Sequence, residues 1–180
     1  MTLQEIYAIA KQVKPEFDSK ITKIADEENG IALLPELKTL ARAQSKIQYE
    51  HNGDPAKIRD ILRASIIVST AAQVNNSVRL VSDDFLVMAS RNGYSKKTHS
   101  SDGYFDAKID VEFMGIYAEI QIHTQAMLDA KEMAHELFEQ RQKIQRSVIK
   151  GHRPTSGQIS KINELNKQMR ELFRKAANNE

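Results

Sequence analysis

Two acids at fixed spacing carry the first chemical signal in this chain. In residues 103–124, GYFDAKIDVEFMGIYAEIQIHT, apolar residues fall at every second position from Phe105 to Phe113 and again from Ile116 to Ile122. Such period-two patterning puts Tyr104, Asp106, Lys108, Asp110 and Glu112 on one face of a strand, and Tyr117, Glu119, Gln121 and His123 on one face of the next. Met114-Gly115 suits a two-residue hairpin turn. Phe113 then pairs with Ile116, Asp110 faces Glu119, and Lys108 faces Gln121. Opposed carboxylates repel unless a divalent metal, a shared proton or a cationic ligand neutralises them. On that premise Asp110→Asn should stabilise the metal-free protein. A solvated outer sheet face carries the same pattern, so the residues alone leave both readings open.

Further polar candidates lie upstream. Lys38, Arg42 and Lys46 are spaced four apart and form a cationic ridge if one helix carries all three; a solvated face with Lys46 paired to Glu50 is the plainer alternative. Asp60 stands before a β-branched run, ILRASIIVS, either as a turn residue or as an acid at the mouth of a central strand. The loop RNGYSKKTHSSDG, residues 91–103, has the small and cationic residues of an anion-facing loop, and of a solvated one. The five histidines are scattered, and no P-loop, GxGxxG or HExxH motif occurs.

These residues need elements to hold them. Residues 3–13 and 16–28 read as two helices interrupted at Pro15 and stopped at Asn29-Gly30. A third helix is expected from about Pro35, packing through Leu37, Leu40, Ala43 and Ile47. Asp54 can cap a short turn opening on Pro55. Thr70 starts a helix with Val74, Val78 and Val81 on one stripe, and residues 85–90 form a strand. After the hairpin, Thr124 is a natural N-cap for one helix to about Ile149, with Met127, Ala130, Ala134, Leu137, Phe138, Ile144 and Val148 inward. His135, one turn from Lys131 and Glu139, reads as a packing histidine or a supporting partner. Residues 151–157 read as a linker. In the last helix Ile162, Leu165, Met169 and Leu172 make a short heptad-like seam that docks on the domain or meets a second subunit. The order predicts an α+β fold: a small mixed, largely antiparallel sheet covered by helices.

Composition bounds the rest. The chain has 180 residues, 41% hydrophobic and 28% charged, which suits one globular domain with an appended helical piece. No apolar run long enough for a membrane span and no signal-like N-terminus is present. Absence of cysteine rules out disulfides and thiolate metal sites. Net charge is only +2, yet residues 141–175 hold ten Lys/Arg against two Glu, a basic helical face of the kind that meets RNA or simply water.

Three segments carry a resemblance to a known family: DPAKIRDILRASIIV, DGYFDAKIDVEF and EIQIHTQAMLDAKEMAHELFE. They are similar to the synthetase domain of the RelA/SpoT family, the alarmone synthetases, and the third segment resembles its "EVQIRT … M … AE … H … YK" run. The resemblance covers about residues 36–140. It implies a nucleotidyltransferase-like synthetase domain at 1–150, with N-terminal helices at 1–30, and a C-terminal helical extension at 151–180. It also implies transfer of the β,γ-pyrophosphate of ATP to the 3′-oxygen of GDP or GTP, releasing AMP. Asp60 would bind Mg²⁺. Glu119 would bind metal or activate the acceptor hydroxyl, and Tyr104 would stack on the acceptor purine. Lys38, Arg42 and Lys46 would hold the ATP phosphates, with Arg63, Lys108, Gln121 and His123 as further substrate-binding residues.

Departures from the family pattern are specific. Ser65 stands where the strand usually carries Arg, Lys108 where His is usual, and His123 where "QIRT" has Arg. They look like a divergent, toxin-like branch, in which ADP, AMP or a tRNA 3′ end could replace GDP or GTP, or in which a nucleotide- or RNA-binding module survives without catalysis. A structural domain of a larger mobile-element protein is a third reading. The expected setting is cytoplasmic, in the producing cell or in a recipient if the protein is delivered as a toxin, with self-association through the last helix as an option.

Overall fold

The computed structural model describes residues 1–96, 101–148 and 152–178. It begins with one long helix, α1 (Leu3–Glu27), opened by a capping box in which Thr2 and Glu5 satisfy each other's backbone N–H groups. The break expected at Pro15 does not occur. Pro15 lies on the exposed side, where water can take the carbonyl its ring leaves unpaired, while Ile6, Ala10, Val13, Phe17, Ile21 and Ile24 keep one buried stripe running past it.

A short strand the sequence reading missed follows, β1 (Ile31–Leu33), antiparallel to β2 (Leu62–Val68). Gly30 permits this pairing: a Cβ there would stand 2.6 Å from the Ile67 carbonyl oxygen. Between these strands lie α2 (Leu40–Glu50) and a 3₁₀ turn at Pro55–Lys57, capped by Asp54 as expected. The helix starts at Leu40 rather than Pro35, so Lys38 precedes its Thr39 N-cap; Ala43 and Ile47 are buried, but Leu40 is exposed.

The remaining elements are α3 (Ala71–Asp84), opened by a Thr70–Gln73 capping box; β3 (Leu86–Asn92); a single helical turn α4 (Gly93–Lys96); β4 (Ala107–Phe113); β5 (Ile116–Thr124); α5 (Gln125–Met133); α6 (His135–Ser147); and α7 (Ser156–Ala177). Thr124 caps α5 as expected. The single helix expected from there to 149 is instead divided at Ala134. The backbone ladder continues across the division, from Ala134 N–H to Ala130 and from Phe138 N–H to Ala134, so this is a bend rather than a gap. Phe138, expected inside, is exposed. Within the predicted 91–103 loop, residues 91–92 extend β3 and 93–96 coil, while Lys97 and His99 lie outside the described residues.

One five-stranded sheet results, ordered β1-β2-β5-β4-β3, with the β2–β5 pair parallel and the others antiparallel. This is the mixed, largely antiparallel α+β sheet the sequence predicts. One sheet face meets α1 and α3, with Phe17, Phe85 and Phe113 packed ring against ring at 5.6–5.8 Å. A second apolar cluster joins Phe105 to Met127 and Ala130 of α5 and to Leu165, Met169 and Phe173 of α7. The apolar stripe of α7 is thus used within the chain. Among the described residues no helix is long and apolar enough to cross a membrane.

Candidate active site

The hairpin of β4 and β5 has the register read from the sequence, with Asp110 opposite Glu119 and Lys108 opposite Gln121. Its turn explains why. Met114 and Gly115 both have positive φ, 49° and 85°, the type I′ geometry that matches strand twist and fixes pairing without a slip. Ala107, Ile109, Val111, Ile120 and Ile122 therefore all fall inward, and the acids share the other face. The parallel partner β2 extends that face by placing Arg63 beside Glu119 and Ser65 beside Gln121, and β3 places Arg91 beside Lys108.

Charge on this face is balanced from within the chain. Lys108 pairs with Glu119 and lies 3.9 Å from Asp110, while Arg59 reaches Asp110 at 3.4 Å. The expectation of an uncompensated Asp110–Glu119 pair is corrected accordingly: the neutralising cations are Lys108 and Arg59. Gln121 Nε2 donates to the other Glu119 oxygen at 2.7 Å. Burial alone would lower the Lys108 pKa, but the hydrogen bond and charge of Glu119, with Asp110 behind it, raise it.

Asp60 is buried at the mouth of β2, where its Oδ2 accepts from both Lys38 Nζ and Lys46 Nζ at 2.8 Å. Burial pushes its carboxyl up, and the hydrogen bonds and charges of the two lysines outweigh that, holding it below the ordinary value. The expected three-residue ridge is therefore two lysines from different segments, one before α2 and one on it. Arg42 lies exposed and does not join them. Tyr7 of α1 donates to the Lys38 carbonyl, fixing that segment.

The far end of the face is a network around Tyr104. Its hydroxyl donates to Asp106 Oδ2 at 3.2 Å and lies 3.3 Å from His123 Nδ1. Arg91 holds the other Asp106 oxygen. Lys131 of α5 sits 5.4 Å above the Tyr104 ring and donates to Gln121 Oε1, which also meets His123 Nε2. Burial, with Lys131 nearby, drops the His123 pKa to about 3, so the imidazole is neutral. Burial and the Asp106 charge raise the Tyr104 hydroxyl well above its ordinary value. Lys131, Arg91 and Arg59 were missed by the sequence reading. Arg91 had a usable signal, its alternation with Ala89 on β3; the other two arrive from separate segments.

Among the described residues no three acidic or histidine side chains gather as a metal cluster. Mg²⁺ does not need one, since it takes one or two carboxylates and fills its octahedron with water and nucleotide phosphates. Asp60 Oδ1 is buried with no hydrogen-bond partner, the kind of free oxygen donor such an ion takes. The residues present fit the group.

The model of the region found in RelA/SpoT proteins matches residues 36–144, a span that holds every group placed on this polar face. The chain belongs to the RelA/SpoT family. A curated relative, the (p)ppApp synthetase toxin Tas1 of Pseudomonas aeruginosa strain UCBPP-PA14, is 29% identical over 138 residues, covering 72% of this chain. The chain spans 28% of that relative's length. Among solved structures, Tas1 in complex with its immunity protein superposes with a TM-score of 0.72 at 20% identity, covering 98% of this chain and 96% of that one. A GTP pyrophosphokinase family protein from Streptococcus pneumoniae gives 0.68 at 20% identity, over 99% and 90%. Small alarmone synthetase 1 from Bacillus subtilis, bound to its product pppGpp, gives 0.64 at 14%, over 97% and 94%. The five-stranded sheet of this chain is the fold of these synthetase structures.

Proposed function

We infer that this chain moves the β,γ-pyrophosphate of ATP onto the 3′-hydroxyl of an adenosine nucleotide, ADP or AMP, releasing AMP from the donor. The observation that carries the reading is the convergence of Lys38 and Lys46 on Asp60 beside a sheet face that holds Glu119. It brings cations for a polyphosphate and carboxylates for a metal to one place, which phosphoryl transfer requires. Lys38 and Lys46 bind the ATP phosphates, turning from Asp60 to the nucleotide. Asp60 and Glu119 would hold Mg²⁺, which supplies charge neutralisation on those phosphates. Glu119, a buried carboxylate, accepts the proton of the attacking 3′-hydroxyl. Tyr104 lines the acceptor side, with Gln121, His123 and Lys108 completing its floor and Arg63 standing beside Glu119.

Adenosine acceptors are favoured over GDP and GTP by the relative's description as a (p)ppApp synthetase toxin. The same relative favours a toxin, and the cytoplasm, of its own cell or of a recipient, is the proposed setting because nucleotide acceptors are there. Labelled ATP and Mg²⁺ incubated with ADP, AMP, GDP or GTP test the assignment. AMP release with a pyrophosphorylated adenosine product is expected; a guanosine product alone returns the acceptor to GDP or GTP. No AMP release with any acceptor from folded protein refutes the enzymatic reading. One observation favours a non-catalytic nucleotide- or RNA-binding module: the buried, neutral His123 stands where the family motif has a cation. Calorimetric binding of nucleotide or tRNA without turnover would select it.

A further inference from the structure

The segment leading into β4 is pinned by a buried ion pair between Asp102 and Arg141. Asp102 Oδ2 accepts from Arg141 Nη1 at 2.6 Å, and the same Nη1 donates to Asn166 Oδ1 at 2.8 Å. All three side chains are buried, Asp102 at 5% exposure, Arg141 at 9% and Asn166 at 8%. They come from three places: the turn at 101–103, α6 and α7. The second Asp102 oxygen accepts from the Tyr104 backbone N–H at 3.2 Å. Asp102 thus joins Arg141 directly to the backbone of the residue placed against the acceptor.

Neighbouring contacts repeat the connection. Gly103 has φ +86°, and a Cβ there would stand 3.2 Å from Arg170 Cγ on α7, so the turn lies against that helix. The Tyr104 ring meets Phe173 of α7 edge-on at 5.4 Å, and Phe105 is buried among α5 and α7 side chains. A surface turn needs no buried guanidinium, and desolvating both charges is costly unless their geometry is held. The pin fixes the Tyr104 backbone from the helices, while the hydroxyl at the other end of the side chain meets His123 of the sheet.

We propose that Arg141 is a positioning residue for the acceptor: through Asp102 and Asn166 it sets the Tyr104 backbone, so the C-terminal helices tune acceptor binding independently of ATP. The proposal rests on the pyrophosphotransfer reading only in assigning Tyr104 to the acceptor side. Lys38 and Lys46 are tied to Asp60, whereas the pin ties Asp102 to α6 and α7, so the proposal leaves ATP handling outside it.

The test combines kinetics with a readout that needs no turnover. In Arg141→Met the acceptor KM should rise about tenfold, as expected for losing one charge-assisted hydrogen bond, with the ATP KM within about twofold of wild type. Arg141→Lys should recover part of the loss. Arg141→Met with Asp102→Asn should be no worse than Arg141→Met alone, since both break one link. If Arg141→Met does not fold, Gly103→Ala, which keeps all three pin side chains but strains the turn and presses it against Arg170, should give the same selective rise. In tyrosine-labelled NMR spectra, with the Tyr104 signal assigned by Tyr104→Phe, Arg141→Met should shift or broaden that signal in the nucleotide-free protein. An unmoved Tyr104 signal, or equal rises in both KM values, overturns the proposal. Wild-type protein that turns over no acceptor refutes the function instead, and the NMR arm still decides whether Arg141 positions Tyr104.

Discussion

At the scale of single residues, environment matters more than residue type. Asp60 is an acid held by two lysines, and the role proposed for it requires those lysines to exchange it for phosphate. Asp60→Asn should reduce transfer by roughly 10²-fold or more, the scale of losing a preorganised charged group, and Glu119→Gln should do likewise. Asp60→Asn should also cost about 1–3 kcal/mol, because it leaves the buried ends of Lys38 and Lys46 without their acceptor's charge. Initial rates and urea unfolding separate the two effects; full activity in either variant removes that residue from the chemistry. His123 gives a pH signature. Its folded pKa, about 3, lies below its ordinary 6.5, so between those values the unfolded chain binds a proton that the folded one refuses. This contribution to stability is complete above pH 6.5 and is lost as pH falls toward 3, by up to about 1.4 kcal/mol per pH unit. Urea midpoints measured from pH 7 to 4 should fall less steeply in His123→Gln. An unchanged slope would mean that His123 titrates normally and that the Tyr104 network is looser than described.

At the scale of elements, the hairpin was legible and its charge balance was not. Alternation and a two-residue turn fix Asp110 against Glu119 whatever surrounds them, so the sequence alone yields the register. Which cation answers the two acids depends on Arg59, outside the hairpin, and on the way Lys108 leans across to Glu119; no pattern along one strand encodes either. The α1 helix shows the converse. Pro15 is a local breaker, but a buried stripe on both sides of it outweighs one lost hydrogen bond when that bond faces water. Lys38 and Lys46 converge although Lys38 is not helical, because Tyr7 holds its segment from another helix. A stability prediction follows from the corrected balance. Lys108→Met should cost about 1–2 kcal/mol, below the 3–5 kcal/mol of a fully buried broken pair because Lys108 is partly exposed. Adding Asp110→Asn should recover part of that cost, while Asp110→Asn by itself should not stabilise the protein. Denaturant unfolding of the three variants checks this; stabilisation by Asp110→Asn alone would restore the uncompensated acid pair.

At the scale of the molecule, two apolar clusters divide the labour. The first, under the sheet, holds β5, which carries Glu119, and β2, which Asp60 precedes; the second, between α5 and α7, holds Phe105 and touches Tyr104. Sequence periodicity marked both as buried but could not tell which cluster supports which end of the polar face, because that depends on where α7 docks. The division predicts a difference between two equivalent truncations. Phe17→Ala and Phe173→Ala should each cost about 3–5 kcal/mol, the range for removing a buried phenyl ring. Phe17 belongs to the first cluster, so once the variant is folded its acceptor KM should match wild type. Phe173 packs on the Tyr104 ring, so Phe173→Ala should raise the acceptor KM several-fold and leave the ATP KM in place. Kinetics below each variant's unfolding transition decide the matter. Equal acceptor KM values in the two would mean that the second cluster stabilises the fold without shaping the site, and that Tyr104 is placed by the sheet alone.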